Sequence, residues 1–72
     1  MKYKKLDNSY FEKHPECDVV IEYAFIESGD TYTLGIMSEY LKTETDIEDW
    51  FYVNYQSRPV KMVGYKIKNE EC

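Results

Sequence analysis

Thr45-Asp46-Ile47-Glu48-Asp49-Trp50-Phe51-Tyr52-Val53-Asn54-Tyr55 reads in two ways, and the fold turns on the choice. Thr45, with Glu48 three residues on, has the form of a capping box, after which Ile47, Trp50, Phe51 and Tyr55 fall on one stripe of a helix. Against that, the run from Trp50 to Tyr55 is rich in the aromatic and branched residues that strands favour. A turn at Gln56-Ser57-Arg58-Pro59 and a strand over 60–68 follow at once, which makes a hairpin over roughly 49–68 the natural partner of the run. The strand reading is preferred from Trp50 onward, with a short helix or helical turns within 38–48. Pro59 suits a turn or the first residue of a strand, since it offers no ladder N–H.

Upstream the pattern is plainer. Between residues 17 and 27, Cys17, Val19, Ile21, Tyr23 and Phe25 share one face at period two. Ser28-Gly29-Asp30 supplies a turn, and Tyr32, Leu34 and Ile36 alternate after it. A β-hairpin over roughly 17–37 follows. Asn8 or Ser9 can cap a short helix through Lys13, stopped ahead of Pro15. Gly64, inside the last strand, marks a bulge or a close backbone approach. The expected fold is α+β and β-rich, with about four mainly antiparallel strands and one or two short helices. No repeat or linker divides the chain, so residues 1–72 read as a single small domain.

Size and charge narrow the function. A chain of 72 residues buries only about 60% of its unfolded surface, which leaves a stability of a few kcal/mol and little room for a deep catalytic cavity. The net charge of −5 is uneven: residues 1–13 carry +2, residues 14–59 carry −8 and residues 60–72 carry +1. That sign opposes attraction to nucleic acid or an anionic membrane and suits a basic protein surface. No segment has the apolar length of a signal peptide core or a membrane span, so a cytoplasmic protein is expected. In that compartment Cys17 and Cys72 are read as reduced thiols rather than as a disulfide.

Catalytic patterns are thin. A single histidine excludes a Ser/His/Asp set built on two, and no glycine-rich phosphate loop is present. His14-Pro15-Glu16-Cys17 sets an imidazole three residues from a thiol, but zinc asks for about four ligands, so the pair reads as an exposed histidine beside a small buried hydrophobe. The expectation is no enzyme, no metal and no cofactor.

What stands out is a carboxylate cluster running into aromatics. Glu44, Asp46, Glu48 and Asp49 set a negative field, and Trp50, Tyr52 and Tyr55 supply the large amphipathic rings that anchor interfaces. These seven residues are the candidate partner-binding site. The reading is a small acidic binding protein that docks on a basic, nucleic-acid-binding protein, in the manner of an inhibitor carried by a phage or mobile element. Composition supports such an origin: Phe, Tyr, Met, Ile, Asn and Lys, read from AT-rich codons, make 30 residues, against 7 for Gly, Ala, Arg and Pro. Two alternatives stay open: a self-associating accessory module that pairs through sheet edges as a homo-oligomer, and a sheet that stacks single-stranded nucleic acid on its rings. Net acidity counts against the latter.

Overall fold

A computed structural model describes residues 3–68. Its order is β1 (Lys4–Lys5), a 3₁₀ helix (Asn8–Glu12), β2 (Val19–Phe25), β3 (Thr31–Ile36), α1 (Glu44–Tyr55) and β4 (Val60–Ile67). The four strands form one sheet in the order β1-β4-β2-β3. β2 runs antiparallel to both β3 and β4, while β1 lies parallel to β4. The fold is α+β and strand-rich, as expected.

The β2–β3 hairpin forms where the alternation put it. Tyr23 faces Tyr32, Ile21 faces Leu34 and Val19 faces Ile36. The Phe25 N–H donates to the Asp30 carbonyl at 2.9 Å, and the turn closes with the Gly29 N–H donating to the Phe25 carbonyl at 2.8 Å. Gly29 carries a φ of 77°, a left-handed conformation that favours glycine.

The hairpin expected over 49–68 does not form. Residues 44–55 are helix, and β4 pairs with β2 and β1 instead. Helix wins because Ile47 and Phe51, one turn apart, are buried, with Trp50 and Tyr55 packed at their flanks. Together they cover the apolar side of a sheet that would otherwise lie bare. Strand propensity reflects packing on a pleated surface, and here the tertiary demand runs the other way. The cap also shifts. Thr43, not Thr45, is the N-cap: the Asp46 N–H donates to Thr43 Oγ1 at 3.1 Å, and the Lys42 and Thr43 N–H groups both donate to Asp46 Oδ2 at 3.2 Å. Starting at Thr43 satisfies an extra backbone donor, that of Lys42, which a start at Thr45 would leave outside the box.

The fourth strand is β1, in a stretch too short for periodicity to reveal. Lys4 pairs with Gly64 and Lys5 with Tyr65. Gly64 permits this, since a Cβ there would lie 2.7 Å from the Lys4 carbonyl oxygen. A bulge adjoins it: Glu22 faces Gly64 but Tyr23 faces Met62, leaving Val63 as the extra residue. The bulge keeps both Tyr65 and Met62 on the helix side although they are three residues apart. The 3₁₀ helix is capped by Asp7 rather than Asn8 or Ser9, with the Ser9 N–H donating to Asp7 Oδ1 at 2.9 Å.

Two cores result. On the α1 side, Val19, Ile21 and Ile36 of the sheet and Tyr65 meet Ile47 and Phe51. On the other side Leu6 and Phe11 cover Val20. The sheet is therefore filled on both faces at one end, while on the second face the other end stays polar, with Lys4 Nζ 3.7 Å from the Glu22 carboxylate.

Candidate functional site

All seven candidate residues lie on α1, and the helix sorts them by face. Asp46 is held by the cap, and its carboxyl is pushed below the ordinary range chiefly by the Lys42 N–H and then by the Thr43 hydroxyl. Glu48 accepts a short hydrogen bond from the Tyr3 hydroxyl, which ties the helix to the strand edge beneath it. Trp50 is half-buried against the core. Tyr55 stacks on Phe51 with ring centroids 4.8 Å apart and packs on Tyr23 at 5.8 Å. These four belong largely to the fold.

The outward face is a different set. Glu44, Thr45, Asp49, Tyr52, Val53 and Gln56 are exposed, and the spacing of 45, 49, 52, 53 and 56 defines one continuous helical stripe. On it Tyr52 is 68% and Val53 66% exposed, large apolar groups with no core to fill. Glu44 and Asp49 stand one and two turns before them. Val53 was not singled out from the sequence. Its signal is the helical phase: once Ile47 and Phe51 face inward, residues 49, 52, 53 and 56 must face out.

Beside this stripe lies an open cavity of about 470 Å³ between α1 and the start of β4. The helix side contributes Glu48, Asp49, Tyr52 and Tyr55, and the strand side contributes Arg58 and Lys61, with Tyr3 between them. The Arg58 guanidinium lies 5.9 Å from the centre of the Tyr55 ring, a cation already resting on an aromatic face.

His14 and Cys17 come together over β3. A Cβ at Gly35 would lie 2.5 Å from Cys17 Sγ and 2.9 Å from His14 Nδ1, so the missing side chain of Gly35 makes the space they fill. Among the described residues no three His, Cys, Asp or Glu side chains gather to hold a metal ion. Cys72 lies outside the described residues. No described helix is long and apolar enough to cross a membrane.

Comparison with known proteins returns nothing: no protein family, no curated protein and no solved structure matches this chain.

Proposed function

We propose that this chain is a small non-enzymatic binding protein that docks the outward face of α1 onto a basic protein surface. The observation that carries the reading is the exposed pair Tyr52 and Val53, set one turn beyond the Asp49 carboxylate on one helical stripe. An apolar pair with acidic residues ahead of it is the pattern by which an amphipathic helix enters an apolar groove with a basic rim. The rings anchor by excluding water, and the carboxylates steer the approach. The neighbouring cavity suits the side chain of a partner lysine or arginine, which would rest on the rings of Tyr3 and Tyr52 beside Asp49.

The central charge of −8 over residues 14–59 favours a basic partner, and proteins that hold nucleic acid are the largest class with such surfaces. Size, acidity and codon-type bias suit an inhibitor or modulator from a phage or mobile element acting in the cytoplasm. Sequence chemistry supports the non-enzymatic part: one histidine and no phosphate loop.

The test is retention on the immobilised protein at low and high salt, with Glu44→Lys/Asp49→Lys and Tyr52→Ala/Val53→Ala as controls whose folding is checked by circular dichroism. A strongly basic protein retained at low salt, released by salt and lost with either variant supports the reading. Truncating a central aromatic anchor costs about 2 kcal/mol, or roughly thirtyfold in affinity. Retention indifferent to both variants would sink it.

A further inference from the structure

The two edges of the sheet are built differently. β1 is two residues long and made of lysines, Lys4 and Lys5, the short charged form that keeps an edge from pairing further. β3 is Thr31-Tyr32-Thr33-Leu34-Gly35-Ile36, six residues with no charge and no proline, and its register with β2 is unbroken from Ala24↔Thr31 to Val19↔Ile36. The bulge that would twist an edge away is on β4. Apolar surface gathers along the same edge: Tyr32 is 50% exposed, and Met37 and Tyr40, which follow the strand, are 70% and 81% exposed.

The backbone of β3 has a defined outward set. The Phe25 N–H donates to the Asp30 carbonyl and the Asp18 N–H to the Ile36 carbonyl at 2.8 Å, which fixes the even-numbered residues of β3 as those bonded to β2. Thr31, Thr33 and Gly35 therefore turn their N–H and C=O groups to the open edge, where no strand lies among the described residues. An antiparallel strand with the same sequence fits this edge. With the twofold axis at Thr33, Thr31 faces Gly35 of the second copy, and about six N–H···O bonds close across the axis. Tyr32 then sits opposite Leu34 of the second copy in the close, non-hydrogen-bonded position, twice over, an aromatic–aliphatic pairing of the kind that stabilises sheets. The other face of the junction holds only threonine side chains and glycine.

We propose that β3 is a self-association edge: a second copy of this chain adds its own β3 antiparallel, giving one continuous eight-stranded sheet. The axis stands perpendicular to the sheet, so both α1 helices lie on the same side and their outward faces point the same way. Charge sets the salt response. Each copy carries −5, and Asp30 at one end of β3 and Glu39 beyond the other approach their counterparts, so added salt strengthens the dimer. That is opposite to the response of docking onto a basic partner, which keeps the two readings separable.

Sedimentation velocity over about 1–100 µM protein at roughly 0.05 and 0.5 M salt reads the dimer directly. The expected result is a dimer fraction that rises with concentration and with salt. Thr33→Lys, which sets two lysines against each other at the axis, raises the dissociation constant by about tenfold or more. Hydrogen exchange on the unsubstituted protein needs no variant. The amides of Thr31, Thr33 and Gly35 gain protection as concentration rises, while those of Tyr52 and Val53 do not. A single monomeric species across the range, exchange at Thr33 that ignores concentration, or a dimer unmoved by a folded Thr33→Lys would each overturn the proposal.

Discussion

Gly64→Ala is the sharpest test of how the sheet closes. A Cβ at residue 64 would stand 2.7 Å from the Lys4 carbonyl oxygen, 3.0 Å from Lys4 Cβ and 3.3 Å from Leu6 Cδ2. The nearest obstacle is backbone, so no rotamer change relieves it. Either β1 is pushed back within the sheet, at an overpacking cost of about 1–3 kcal/mol, or it detaches. Detachment releases Leu6, only 4% exposed, at about 1.5–3 kcal/mol for a fully buried leucine. Alanine recovers about 0.5–1 kcal/mol by restricting the unfolded chain. The net loss is about 1–2 kcal/mol, which for a domain of this size lowers the melting temperature by roughly 5–15 °C. Thermal unfolding followed by circular dichroism gives the size of the effect. Amide exchange at Leu6, whose N–H donates to the Tyr65 carbonyl at 3.2 Å, gives its location. A melting temperature unchanged or raised, with the Leu6 amide still protected, would refute the reasoning.

Other perturbations follow from the same geometry. Thr43→Ala costs about 1 kcal/mol through loss of the cap, whereas Thr45→Ala, on the exposed face, stays within about 0.5 kcal/mol; paired urea titrations distinguish them. Asp46 has its folded-state pKa lowered by the Lys42 N–H first, so its contribution is fully present above the ordinary carboxyl value and is lost as pH falls below about 4. Acid titration of Asp46→Asn should show a shallower decline than the parent protein over that window. Gly35→Ala pushes on Cys17 Sγ and His14 Nδ1, which are side chains, so it costs about 1–2 kcal/mol and a Cys17→Ala background recovers part of that loss in a double-mutant cycle.

The first hairpin was legible because its signal is local: period-two alternation on both arms and a glycine-bearing turn between them. The stretch 44–55 was not, because two rules conflict within it. Its capping box and its Ile47–Phe51 spacing speak for helix, while Trp50 to Val53 carry strand-favouring side chains. What decides is the exposed apolar face of a sheet whose other strands are remote in sequence, and no local rule sees that. The same remoteness hid β1, whose identity rests on the space above Gly64. Reading 50–55 as strand also misassigned the site. Alternation would send Trp50 and Tyr52 to one side together, whereas the helix turns Trp50 inward and leaves Tyr52 beside Val53. Glu48 and Asp46 were legible as acidic but not as occupied, since the Tyr3 hydroxyl and the Lys42 N–H reach them only once the chain is folded.

The parallel pairing of β1 with β4 sets an order of events for the folding chain. Lys4 and Gly64 are 60 residues apart, whereas the β2–β3 turn spans only residues 26–30. Closing the longer loop costs about 2 kcal/mol more in chain entropy, so the hairpin can stand long before the sheet is complete. During synthesis β1 leaves the ribosome first and must wait for almost the whole chain before its neighbour exists. Its two lysines keep that waiting segment solvated. The first strand made is thus the last one placed, and the slowest phase of refolding should be the one that reports on Leu6 rather than on Trp50.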